Sequence, residues 1–153
     1  MDLSDLLSQD AILPALKASS KKQVIQEMAE IAADVTSLPH RVIFDTLLQR
    51  ERLGSTGVGH GIAIPHGKLS EITSIAGVFA RLEKPINFES LDDEPVDLVF
   101  MLLAPESAGA DHLKALARIA RVLRDKEVAA KLRATDDGAA IFALLTQQVA
   151  TAA

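Results

Sequence analysis

Apolar positions along the chain change their spacing several times, and each change marks an element. From 3 to 16 the chain is mostly apolar without a clear period, which fits a strand or a turn leading into a first helix. Ser20 and Gln23 have the spacing of a capping box. After them Val24, Ile25, Met28, Ile31, Ala32 and Val35 recur on one helical face. A second helix is predicted after Pro39, a residue suited to a first helical turn, with Val42, Ile43, Leu47 and Leu48 turned inward. Gly54 is its predicted stop. Between Gly54 and Gly67, glycines and a proline leave Ile62-Ala63-Ile64 as only a brief strand. Two longer strands are predicted at 72–82 and 96–103, the second nearly continuous in apolar residues, as a strand buried on both faces should be. Pro85 and Pro95 punctuate the loop between them. Leu113, Leu116, Ile119, Ala120 and Leu123 mark another helix, with Asp111 near its positive end. Asp125 and Thr135 are candidate caps for short helices at 126–133 and 136–148.

Helices around buried strands predict an α/β fold, a single-domain sandwich with a small mixed β-sheet flanked by helices. No repeat, linker or shift in composition divides 1–153, and the core is expected at about 3–145. The periodicity leaves the strand order open.

Composition narrows the function classes more than the fold. Cys is absent, which removes disulfides, iron–sulfur clusters and thiolate zinc sites. The net charge is −5, and there is no Trp or Tyr. The chain therefore lacks the basic field and the stacking platforms of a nucleic-acid binder. The start Met1-Asp2-Leu3-Ser4-Asp5 is acidic, unlike a secretory signal. The longest apolar run, 98–104, is far too short for membrane insertion. A soluble cytoplasmic protein is expected.

The densest polar signal is Gly59-His60-Gly61-Ile62-Ala63-Ile64-Pro65-His66-Gly67-Lys68. His66 follows a short apolar strand and a proline of fixed φ, and precedes a glycine free to turn. Such a setting presents an imidazole at the end of a sheet. A neutral imidazole is a competent nucleophile near pH 7, and the reactive nitrogen depends on what the other one donates to. Exposed backbone N–H groups in the glycine-rich approach could cradle an anion. The same Pro-His-Gly triplet also reads as a plain structural turn.

Three stretches carry a family likeness: Leu53-Gly54-Ser55-Thr56-Gly57, Gly61-Ile62-Ala63-Ile64-Pro65-His66-Gly67-Lys68, and Asp111-His112-Leu113. They resemble the IIA proteins of the bacterial phosphoenolpyruvate-dependent phosphotransferase system, in the fructose–mannitol class and nearest its nitrogen-regulatory branch. The resemblance implies that His66 takes a phosphoryl group on Nε2 from a small carrier protein that is itself phosphorylated on histidine. It implies phosphate-binding roles for Arg50 and His112. No cofactor or metal is required, and partner proteins would be regulated by the phosphorylation state. A sugar-specific IIA subunit, passing phosphate to a transporter IIB domain, is the alternative.

Both carried-over residues make physical sense. Arg50 near a helix end offers a planar fork of donors, and His112 in a first helical turn sits where anions are favoured. Each also reads, taken alone, as a helix-end residue without a role. Ser55 and Thr56 match the pattern and could donate to phosphate or to backbone, and Lys68 could add positive potential. His60 departs from the nitrogen-regulatory branch, which commonly has another polar residue there. With His66 and His112 it raises a three-histidine zinc site as a rival, although no His-Glu-x-x-His pattern occurs.

Overall fold

Helices cover both faces of one mixed sheet, and alternation along a single strand tells the faces apart. The computed structural model describes residues 2–147. Its strands are β1 (Ile12–Leu16), β2 (Gly57–Gly59), β3 (Ile62–Ala63), β4 (His66–Leu69), β5 (Ala76–Ile86) and β6 (Val96–Pro105). Its helices are α1 (Lys21–Thr36), α2 (His40–Leu53), α3 (Ala110–Arg124), α4 (Lys126–Arg133) and α5 (Gly138–Thr146). The strand order is β1-β5-β6-β3-β2, with β4 also on β6. β1 runs parallel to β5, β5 antiparallel to β6, and β3 and β4 parallel to β6. The expected α/β sandwich with a mixed sheet is the observed fold.

β6 sits at the centre, and all but one of its residues are buried, as its apolar run predicted. Phe79 on β5 opposes Phe100 on β6, with ring centroids 6.2 Å apart and planes tilted by 58°. Such a cross-strand aromatic pair contributes about 0.5–1.5 kcal/mol beyond its burial. Successive residues of a strand face opposite ways. On β4, the α-hydrogen side of Gly67 faces α2, where a Cβ would stand 2.9 Å from Thr46 Cγ2. Its neighbour His66 faces His112 of α3. So α2, with α1 packed on it, covers one face at this edge, and α3 covers the other. Glycine at 67 is what lets α2 lie so close.

Local chemistry explains most helix ends. Ser20 Oγ accepts from Gln23 N at 3.1 Å, while the Gln23 side chain accepts from Ser19 N at 2.9 Å. The reciprocal half of the expected box therefore falls one residue earlier. Gly54 ends α2 as predicted, and Asp125 caps α4 through Glu127 N and Val128 N. Other expectations need correction. The 3–16 stretch resolves into two 3₁₀ turns, Leu3–Asp5 and Gln9–Ala11, followed by β1. Pro39 is the N-cap of α2 rather than part of its first turn. Val35 is exposed, next to last in α1. β5 starts at Ala76, later than predicted, and continues through Pro85, because a register shift between Arg81 and Ile86 absorbs the missing N–H. Asp137 caps α5, and Thr135 instead accepts from Asp137 N. Gln148, the predicted end of that helix, lies outside the described residues.

Candidate functional site

β3 and β4 lie along β6 in one unbroken register, from Ile62 opposite Leu98 to Leu69 opposite Pro105. Pro65 bridges them, its carbonyl accepting from Leu102 N at 2.9 Å. Proline has no N–H to return, which is why the ladder is interrupted there. His66 therefore opens a second stretch of the same line, rather than lying past the end of a strand as the sequence suggested.

The two outward polar groups of Ile64 set the site. Its N–H donates to the Thr56 carbonyl at 3.0 Å, and its carbonyl lies 2.8 Å from His66 Nδ1. A carbonyl can only accept, so Nδ1 carries the proton and Nε2 keeps its lone pair. The backbone two residues back thus selects the tautomer.

His112, in the first turn of α3, is buried, and its ring centroid is 5.6 Å from that of His66 with planes at 52°. Burial pushes its pKa below the usual histidine value, and positive charge on His66 and Lys68 pushes the same way. Its Nδ1 is buried without a hydrogen-bond partner. An unsatisfied buried polar group costs on the order of 1–3 kcal/mol. Lys68, two residues beyond His66 and therefore on the same face of β4, is exposed. His66, His112 and Lys68 thus converge beside the N-terminus of α3.

The other predicted residues belong to the end of α2 and the loop after it. Arg50 donates through Nη1 to the Gly54 carbonyl at 2.9 Å, holding the C-cap of its own helix. Ser55 Oγ donates to the Phe88 carbonyl at 2.7 Å and accepts from Gly57 N at 3.1 Å. Thr56 is buried, and its hydroxyl donates to the Glu51 carboxylate in a short contact. Both hydroxyls serve the loop here.

Sequence reasoning missed Glu51. It is buried, accepts from Thr56 N at 3.1 Å and pairs with Lys21 Nζ at 3.0 Å. Lys21 also pairs with Glu89 at 3.2 Å and lies 5.2 Å from the Phe88 ring centroid. Burial alone would lower the Lys21 pKa, but its bonds to Glu51 and Glu89 outweigh that and raise it. The signal was available: Ile43, Leu47 and Glu51 are spaced by four, which puts an acid on an apolar helical stripe.

His60 stands apart. It is exposed at φ 58°, its N–H donates to Asp92 at 3.0 Å, and its carbonyl accepts from Arg133 Nη2 at 2.8 Å. Among the described residues, no group of three or more His, Asp or Glu is placed to hold a metal ion. Nor, among them, is any helix long and apolar enough to cross a membrane.

This geometry coincides with a family match. Residues 5–148 fit the model of the phosphoenolpyruvate-dependent sugar phosphotransferase system, EIIA 2. The chain is 61% identical to a nitrogen regulatory protein of Bradyrhizobium diazoefficiens, with both covered completely. It is 41% identical to a nitrogen regulatory protein of Escherichia coli strain K12, over 99% of this chain and 93% of that one. The crystal structure of the nitrogen regulatory protein IIA-Ntr from Neisseria meningitidis superposes with a TM-score of 0.90 at 34% identity, covering 94% of this chain and 99% of that one. The chain belongs to the EIIA 2 family of the phosphoenolpyruvate-dependent sugar phosphotransferase system.

Proposed function

We propose that His66 is a phosphoryl carrier. The Nε2 lone pair attacks the phosphorus of a phosphohistidine on a small carrier protein. A new N–P bond forms in line as the old one breaks, and the donor imidazole leaves with its electron pair. The observation that carries this reading is the Nδ1–H bond to the Ile64 carbonyl, which leaves the Nε2 lone pair free on a half-buried residue. Transfer of this kind depends on positioning and charge stabilisation. His112 and Lys68 supply those from one side. Arg50 joins by exchanging the Gly54 carbonyl for a phosphate oxygen; an exposed bond from the guanidinium to a neutral acceptor gives way to one with an anionic acceptor.

The phosphorylated form then acts as a switch on partner proteins in the cytoplasm. Phosphate adds close to two negative charges beside exposed Lys68 and Leu113, which is enough to reverse a docking preference. Full-length likeness to nitrogen regulatory proteins favours this reading over a sugar-specific subunit that hands phosphate to a transporter domain. Incubation with phosphoenolpyruvate, the first enzyme of the system and its small carrier should add one phosphoryl group by intact mass. That group should be stable to alkali and labile to acid. An unlabelled parent under conditions that label a known IIA protein would remove the proposal.

A further inference from the structure

We propose that Glu51 is a positioning residue for phosphoryl acceptance at His66, acting through a relay of hydrogen bonds that ends on Nδ1. The inference rests on His66 being the acceptor. The relay begins at Lys21 Nζ, which donates to Glu51 Oε2 at 3.0 Å. Glu51 in turn accepts from both the N–H and the hydroxyl of Thr56. The Thr56 carbonyl accepts from Ile64 N at 3.0 Å, and the Ile64 carbonyl accepts from His66 Nδ1 at 2.8 Å. Every link is a named contact, and three of the residues on it, Glu51, Thr56 and Ile64, are buried.

The relay spans the two helices of one layer and the sheet edge that carries the ring. Glu51 stands at the end of α2, and Thr56 in the loop that returns to β2. A single carboxylate gathers three donors and so fixes Thr56, through its N–H and hydroxyl, against the helix end. The carbonyl of the same residue, in the next peptide unit, is what holds the N–H of Ile64. With it released, Ile64 keeps only its neighbours in the ladder, Ala63 opposite Val99 and the Pro65 carbonyl on Leu102. Its own carbonyl would then be free to turn away from the ring. A His66 without that acceptor loses its bias toward the Nδ1–H tautomer, and its Nε2 is then partly protonated and unable to attack. Outer partners of a reacting histidine fix its tautomer and orientation in the same way elsewhere.

Glu51→Gln tests this. The amide can still accept from Thr56, but it cannot accept three donors and carries no charge for Lys21. The tautomer of unphosphorylated His66 is read from long-range ¹H–¹⁵N correlation spectra, which need no phosphoryl donor. The parent should be the Nδ1–H form, and Glu51→Gln should be a mixture of both forms. The rate of phosphorylation at saturating phosphorylated carrier should fall roughly tenfold, since part of the rings hold the wrong tautomer and the rest lose their anchor, a smaller loss than the hundredfold of a misplacement of about 1 Å. KM for the carrier should stay within twofold, because the donor's docking face is untouched. A folded Glu51→Gln with the parent tautomer and an unchanged saturating rate would overturn the proposal. Should Glu51→Gln fail to fold, Thr56→Val removes only the hydroxyl given to the carboxylate; a mixed tautomer there supports the relay, and the parent tautomer overturns it. Failure of the parent to accept phosphate would sink the carrier reading instead, while the tautomer comparison would still decide whether Glu51 orients the ring.

Discussion

His60 and His66 share one glycine-rich segment, yet the fold uses opposite ends of the two residues. At His60 the backbone does the bonding: its N–H holds Asp92, its carbonyl holds Arg133, and the residue takes a positive φ to reach both. At His66 the ring does the bonding, to a carbonyl two residues back, and it lies tilted against the ring of His112. The difference follows from the strand line. Ile62 to Leu69 keeps one register on β6, so His66 inherits a fixed side-chain direction toward α3. His60 precedes that line and is free to turn. Histidine in a glycine-rich loop is therefore weak grounds for chemistry; an imidazole with an acceptor of its own is strong grounds.

The largest expected effect separates the two rings outright. His66→Ala should lose phosphoryl uptake completely while losing no more than about 1 kcal/mol of stability, as a half-buried edge residue should. His60→Ala should be labelled at a rate within twofold of the parent. Comparable losses in both variants would erase the distinction.

Next comes the partner ring. His112→Ala should slow transfer through His66 by about a hundredfold, the usual scale for removing one donor that stabilises developing charge. Time courses with limiting carrier measure this, and a rate matching the His60→Ala control would reduce His112 to packing.

A smaller effect lies in the pH dependence of stability. The His112 pKa is depressed in the folded protein, so between the folded value and the ordinary 6.5 the unfolded chain binds more protons. The stability held above 6.5 should therefore drain away as pH falls below it. Denaturation midpoints from pH 7.5 down to 5 should decline in the parent and flatten in His112→Gln. An identical slope in both would place the depression elsewhere.

The smallest concerns the turn. His60→Gly removes a side chain from a left-handed backbone, and the midpoint should rise slightly or hold, by less than about 1 kcal/mol. A marked loss would mean that the His60 ring has contacts of importance after all.

Much of this was legible before any coordinates. The buried centre β6 followed from an uninterrupted apolar run, α2 from its period and the glycine after it, and His66 from its place between a proline and a glycine. Strands β2 and β4 were not legible, because short glycine-bearing segments carry no period of their own and owe their pairing to β6. Nor could the approach of His112 to His66 be read from spacing, since it depends on how α3 returns over the sheet. Glu51 is the instructive miss. Its flanking arginines, Arg50 and Arg52, suggested a solvated helix end, while its phase with Ile43 and Leu47 pointed inward. Phase was the better guide.

The bond between the His66 ring and the Ile64 carbonyl also bears on how the molecule avoids its own kind. A strand at the rim of a sheet offers unpaired donors and acceptors on which another chain can lay down a strand and polymerise. Here part of the rim is open: His66 is half-buried and Lys68 exposed. Ile64 would be the obvious foothold, but its N–H is taken by Thr56 and its carbonyl by the imidazole. Lys68 then places a charge a short way along the same rim. The ring proposed to receive phosphate thereby also plugs the sheet's edge, leaving neither polar group of Ile64 open to another strand.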